Sequence, residues 1–249
     1  MTFNSGEHGL SFGAAAEHYD RIRPTYPAEA VQWCVGAAVS GPTARARIVD
    51  LGAGTGLLTR VLIAAFDAEV IPVEPDPLMR AQLSESTTGV TPLAGSAETI
   101  PLGDGSVDAV LVGQAYHWFD RPKAHAEIGR VVRPGGVFAP IWNIRDESVP
   151  WVADYTRVIE DDRAGRHDGH LDEADFGDAF GPVEAAVFRH SVPMTADGLV
   201  ALLGSRSYYL TATPARQAEL NAKVRALADA LPPTFELPYE TYCYRAERR

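Results

Sequence analysis

The sequence predicts a doubly wound α/β fold: a mostly parallel sheet with helices on both faces, an antiparallel C-terminal strand and a small helical cap. Three observations predict it. Strand-like and helix-like stretches alternate from residue 46 to residue 143. The first strand stretch runs directly into Gly52, Gly54 and Gly56, and the second ends on Glu74. Beyond residue 143 the alternation gives way to helical stretches and two long alternating strands.

Each element has its own signal. Residues 47–51 are short, largely apolar and stop at glycines, as a buried parallel strand does. Residues 57–66 carry Leu57, Leu58, Val61, Leu62, Ala65 and Phe66 at helical spacing. Residues 69–74 form the second strand, although Pro72 lacks a ladder donor. Asp76 caps a helix that opens at Pro77. Residues 91–95 read as a short third strand and residues 107–112 as a strong fourth. An amphipathic helix over 122–132 is ended by Arg133-Pro134-Gly135-Gly136, and 137–142 is the fifth strand. Residues 149–163 look helical, 166–178 form an acidic loop and 183–192 alternate as a strand. Helices follow over 197–210 and 214–231, and 237–245 is the final, antiparallel strand.

Composition narrows the function classes. The 249 residues carry 22 basic and 33 acidic side chains, a net charge of −11, with no basic run. Nucleic-acid binding and attachment to an anionic membrane both call for a basic surface, so neither is expected. Residues 1–10 lack the pattern of a secretory signal, and no apolar run approaches the ~20 residues of a membrane helix. A cytoplasmic protein is expected, as monomer or homodimer, with one domain over 1–249. Within it, 11–45 form a helical cover, 46–143 the cofactor-binding core, and 144–182 with 194–232 the cap. Cys34 and Cys243 have no metal-like spacing and read as reduced, buried thiols. Likewise, His167-Asp168-Gly169-His170 follows no recognised ligand pattern, so no metal is expected.

Strand, glycine loop, helix, strand and acid is the order in which α/β sheets hold a nucleoside cofactor. Glycines let the loop turn tightly and approach a ligand, and Glu74 can accept from the two hydroxyls of a ribose. A dinucleotide fingerprint needs a third small residue where this chain has Leu57; the spacing here is Gly52-x-Gly54-x-Gly56. The failed third position favours a cofactor without a pyrophosphate.

Val49-Asp50-Leu51-Gly52-Ala53-Gly54-Thr55-Gly56 resembles motif I of the class I S-adenosylmethionine-dependent methyltransferases. Glu74 matches their ribose-binding acid, and residues 95–102 resemble the segment that borders the adenine. Residues 104–110 and 127–136 are similar to the run-in to the fourth strand and to the turn before the fifth. The resemblance spans residues 12–143. It implies a seven-stranded Rossmann-like sheet, S-adenosyl-L-methionine as cofactor and S-adenosyl-L-homocysteine as product. The implied cofactor contacts are Asp50, Gly52, Ala53, Gly54, Thr55, Glu74, Pro75, Ser96, Ala97, Glu98 and Gln114. Ser96 departs from the acid often found there, which leaves the backbone amide of Ala97 to face the ring.

Two further segments resemble the trans-aconitate methyltransferase-like subgroup. The first runs through Tyr19, Arg23, Pro24, Tyr26 and Pro27; by that resemblance Tyr19 and Arg23 hold the methionine carboxylate beneath a cover. The second, residues 113–120, places Gln114, Tyr116, His117 and Trp118 at the edge of the fourth strand. Tyr26, His117 and Trp118 are the expected catalytic residues, with His117 a base or an orienting group and Trp118 a donor to a carboxylate. Arg145 reads as an anion anchor, and Arg206, Tyr208 and Tyr209 as a roof over the substrate. The expected reaction is methyl transfer to a small molecule, at an oxygen of a carboxylic acid. Methylation of a hydroxyl or ring carbon uses the same scaffold. An NAD-linked oxidoreductase and a non-catalytic nucleotide-binding module are the other classes left open by the residues.

Overall fold

Seven strands run through a computed structural model that describes residues 23–39, 45–160 and 175–249. They are β1 (Ala46–Leu51), β2 (Ala68–Glu74), β3 (Leu93–Ala94), β4 (Val107–Gly113), β5 (Val132–Arg145), β6 (Glu184–Met194) and β7 (Phe235–Glu247). Across the sheet the order is β3-β2-β1-β4-β5-β7-β6. Neighbours are parallel except at β7, which runs antiparallel to both β5 and β6. The order reverses between β1 and β4, and at such a switch point the crevice beyond the carboxyl ends of the strands is open to a ligand.

Strand alternation sorts the core into two faces. Val49, Leu51, Ile71, Val73, Val110, Val112 and Phe138 point to one side, against α4 (Arg121–Val131). Ile48, Val70, Ala109, Leu111, Ala139 and Ile141 point to the other, against α1 (Ala28–Val35) and α2 (Leu57–Ala65). Cys34 and Cys243 are free, buried thiols in this second layer. α3 (Pro77–Ser86) follows β2 and is capped by Asp76, whose Oδ1 accepts from the amides of Leu78 and Met79.

A third cluster forms the cap. It joins α5 (Pro150–Glu160), α6 (Ala196–Gly204) and α8 (Pro214–Ala228) to Leu237 and Tyr239 of β7. Between α6 and α8 lies the short α7 (Ser207–Leu210). Among the described residues, no helix is long and apolar enough to cross a membrane.

The structure corrects several expected boundaries. The single helix expected over 197–210 is broken after Gly204, where the amides of Ser205 and Arg206 close back on Leu202 and Leu203. Arg206, just past the break, lines the cavity described below. The expected turn at residues 133–136 is absorbed into the start of β5: pairing jumps from Val107↔Val132 to Ala109↔Val137. Gly135 and Gly136 there exchange backbone hydrogen bonds with Arg248, so β7 holds the irregularity in place. Pro72 is tolerated because β3 pairs with β2 only at Val73 and Glu74, leaving the outer edge open at Pro72. Of the loop expected over 166–178, residues 166–174 lie outside the described residues, as does the His167 to His170 group.

A Cβ on Gly136 would stand 2.6 Å from the Asp108 carbonyl and 2.9 Å from that of Arg133. Neither backbone group can yield without moving the β4–β5 register. Gly136→Ala is therefore expected to lose about 2 kcal/mol of stability, read as a lower urea midpoint with an unchanged slope.

Candidate functional site

The site begins where β1 ends. Gly52 and Gly54 hold φ of 71° and 57°, a region that penalises residues with a Cβ. Gly52 also needs its missing side chain, since a Cβ there would lie 2.8 Å from that of Ala115. Gly54 differs: a Cβ would meet nothing within 4 Å, so its backbone borders open space. The amides of Gly52 and Ala53 both donate to the carbonyl of Val73, at 2.8 and 3.1 Å, which folds the loop back over the end of β2.

Three buried acids, Glu74, Asp50 and the helix-capping Asp76, anchor this edge. Glu74 Oε2 accepts from the Gly54 amide and Oε1 from the Asp76 amide, both at 2.9 Å. A carboxylate offers about four lone-pair sites, so acceptor capacity is left for a ligand. Burial pushes the Glu74 carboxyl above its ordinary range, against the pull of those two amides. Asp50 is 1% exposed, and its Oδ2 accepts from the Thr59 hydroxyl at 2.6 Å. Burial drives its carboxyl up to about 7; the Thr59 bond opposes the shift, and the charge of Glu74 adds to it. Asp50 Oδ1 and the buried Thr55 hydroxyl have no hydrogen-bond partner among the described residues. Both residues line the cavity that opens over the glycine loop. Orphaned polar atoms around open space fit a polar ligand.

Gln114 and Gly113 form the second wall. Gln114 holds φ of 59°, a strained value for a residue with a side chain. Its amide donates to Ile141 and its Nε2 to the Asn143 carbonyl, at 3.0 and 2.9 Å. Asn143, at the far end of β5, is a hub. Its Nδ2 donates to the carbonyls of Pro24 and Thr25, while its Oδ1 accepts from Thr241 at 2.7 Å. One side chain thus joins the N-terminal segment, β5 and β7. Tyr26 lies against Gly113, where a Cβ would stand 2.7 Å from the phenol oxygen.

Arg23, Arg206 and Tyr239 line the third side. Arg23 Nε donates to the Ser205 hydroxyl at 3.0 Å and its second nitrogen to the Ser205 carbonyl at 3.1 Å. This clasp ties the N-terminal segment to the helix break beneath the cap.

The remaining predicted residues that are described lie outside the cavity lining. Ser96 and Thr99 exchange backbone bonds at 3.2 Å, which shapes the turn that buries Ala97. Glu98 Oε1 accepts from the Asp120 amide at 3.0 Å and links that turn to the start of α4. Pro75 is exposed, and its carbonyl accepts from Arg80. His117 and Trp118 sit on the 3-10 turn Tyr116–Trp118, with ring centroids 4.6 Å apart. His117 is exposed and Trp118 half-buried, and neither lines the cavity. Tyr19 lies outside the described residues, and the Tyr208 side chain is likewise not described. Tyr209 turns instead to Asn221 of α8. Arg145 is 8% exposed and donates to Thr156 of α5 at 2.9 Å, which places it behind the cavity wall.

Asn143 and Tyr239 were not among the expected site residues. Asn143 had one available sign, its position at the carboxyl end of a central strand. Tyr239 had none, because its arrival depends on the pairing Arg145↔Tyr239.

The chain is similar to known proteins. Residues 49–139 match the Methyltransferase domain family. The chain is 38% identical over 251 residues to an uncharacterized methyltransferase of Mycobacterium tuberculosis (strain ATCC 25618 / H37Rv), covering 99% of both chains. It is 38% identical over 136 residues to malonyl-[acyl-carrier protein] O-methyltransferase of Methylococcus capsulatus, covering 53% of this chain and 49% of that one. Among solved structures, a protein assigned as a type II methyltransferase from Anaeromyxobacter dehalogenans superposes with a TM-score of 0.64 at 26% identity. That match covers 91% of this chain and 97% of the other.

Asp50 generates a pH test. The folded chain keeps a proton that the unfolded chain releases near the ordinary carboxyl value of 3.8. Stability from this group therefore falls as pH rises towards about 7. Glu74 acts with the same sign. In Asp50→Asn the Asp50 part is gone. Between about pH 5 and about pH 8 the ligand-free parent is expected to lose at least about 4 °C more in melting temperature than the variant. Parallel losses in the two proteins contradict the protonation of Asp50.

Proposed function

Because the chain belongs to the class I S-adenosylmethionine-dependent methyltransferases, we propose that it moves a methyl group onto a carboxylate oxygen of a small organic acid, leaving a methyl ester. The charge of the cavity carries this reading. Arg23 and Arg206 line it, and the one acid that does so among the described residues is Asp50, which burial holds partly protonated near neutral pH. An anionic acceptor suits such a cavity. The relative named for O-methylation supports oxygen as the receiving atom.

S-adenosylmethionine fits the glycine-loop side. When bound it supplies a methyl group on a sulfonium leaving group. Glu74 would offer its remaining lone pairs to the ribose hydroxyls, and Pro75, Ser96, Ala97 and Glu98 would border the adenine. Gly52, Ala53, Gly54 and Thr55 line the middle, where Asp50 Oδ1 would be an acceptor for the ammonium group. By the resemblance Arg23 would hold the methionine carboxylate together with Tyr19, which lies outside the described residues, and Gln114 would close the edge.

The chain's task is then to place the acceptor oxygen in line and exclude water. A carboxylate is ionised at neutral pH and needs no base. His117 and Trp118, the expected orienting groups, sit on the 3-10 turn outside the cavity lining, while Tyr26 packs the interior wall.

The test is a screen of carboxylic acids, phenols and amines with methyl-labelled donor. Label is expected in alkali-labile esters of carboxylic acids. Label confined to alkali-stable ethers, amines or ring carbons contradicts the reading. On carboxylic acids, His117→Ala is expected to lower kcat/KM by no more than about threefold, since no base is used; a loss above about a hundredfold contradicts it.

A further inference from the structure

The C-terminal strand brings to the cavity a phenol that the cofactor and the methyl transfer leave without a task. Tyr239 is 3% exposed, yet it lines the cavity. Among the described residues its hydroxyl makes no hydrogen bond, although a buried phenol ordinarily finds a partner. The ring itself is firmly held: it packs in the cap core and stacks on His190, centroids 5.6 Å apart and planes 20° from parallel. The His190 ring reaches the Thr241 hydroxyl at 3.3 Å, and that hydroxyl already donates to Asn143. His190 Nδ1 therefore carries a proton, which fixes the ring beneath Tyr239.

Three guanidinium groups act on this phenol. Burial pushes its pKa up, and the charges of Arg145, Arg206 and Arg23 pull it back. Arg206 and Arg23 line the same cavity, and Arg145 stands behind, clasped to Thr156 and stacked over Tyr155 at 5.5 Å. Arg23 clasps Ser205 at the helix break, and Arg206 and Tyr239 line the same cavity.

We propose that Tyr239 and Arg206 form a carboxylate subsite in the cavity, the phenol donating to one oxygen and the guanidinium to the other, with Arg145 adding charge from behind. Two sources carry this chemistry: the acceptor acid, and the methionine end of the cofactor. The assignment to the acceptor rests on the methyl-ester reading above; the subsite itself does not.

Calorimetry on Tyr239→Phe and Arg206→Gln tests it. The probes are S-adenosylhomocysteine, methylthioadenosine, which has the nucleoside and no carboxylate, and benzoate titrated into the S-adenosylhomocysteine complex. Both variants are expected to bind methylthioadenosine as the parent does. Benzoate affinity reduced about tenfold, with S-adenosylhomocysteine unchanged, supports the subsite and assigns it to the acceptor. The same reduction for S-adenosylhomocysteine supports it and assigns it to the cofactor. Parent-like affinity for both in both variants overturns the proposal. Equal losses for all three probes in both variants also overturn it, because Tyr239 and Arg206 then support the whole site and not a carboxylate. A parent that binds no benzoate, with variants that bind S-adenosylhomocysteine normally, does so too. Failure of the methyl-ester reading looks different: methyl transfer to a hydroxyl or ring carbon by a protein whose subsite passes these titrations.

Discussion

The Glu74 carboxylate holds the site together. One oxygen takes the Gly54 amide and the other takes the Asp76 amide. The first bond fixes the glycine loop that leaves β1, and the second fixes the turn that leaves β2. Asp76 in turn caps α3, so a single side chain couples two strand ends and a helix N-terminus. The arrangement costs desolvation, and the raised pKa of Glu74 records that cost. In return it presents a carboxylate with spare acceptor capacity beside a loop whose backbone faces open space. The proposed ribose acceptor and the loop conformation are therefore parts of one hydrogen-bonded unit.

Around that unit the cavity is assembled from chain segments far apart in sequence. Asn143 joins the N-terminal segment to β7 and holds Gln114 in its strained conformation through its own carbonyl. Arg23 reaches across to Ser205 at the break between α6 and α7. These are polar contacts at the carboxyl edge of the sheet, where alternating apolar side chains no longer dictate the packing. The charge pattern follows the same division. Acids hold the loop side, and arginines gather on the cap side.

How much of this was legible in the sequence depends on range. The β1–loop–α2–β2 unit was legible because its signals are local: an apolar run, three glycines, helical spacing and an acid at the next strand end. Leu57 is informative for the same reason, because its place in a short motif disfavours tight pyrophosphate packing. The cap was only half legible. Helical spacing locates α5 and α8, but the break at Ser205, where Arg23 docks, has no local sign in the sequence. Arg145 was expected to reach a substrate; β5 instead carries it to a buried position against α5. His117 and Trp118 stood out by composition, and the 3-10 turn places them off the cavity lining. Tyr239 was invisible as a site residue, since only the antiparallel pairing with β5 brings it to the edge.

The most direct measurement of the central claim is the affinity of the purified protein for S-adenosylhomocysteine, compared with Glu74→Ala. Micromolar binding is expected in the parent. The variant is expected to lose at least about tenfold, because the ribose loses its acceptor and the Gly54 amide loses the bond that fixes the loop. A parent that binds NADH tightly and S-adenosylhomocysteine not at all would contradict the account, as would a Glu74→Ala variant that binds S-adenosylhomocysteine as well as the parent.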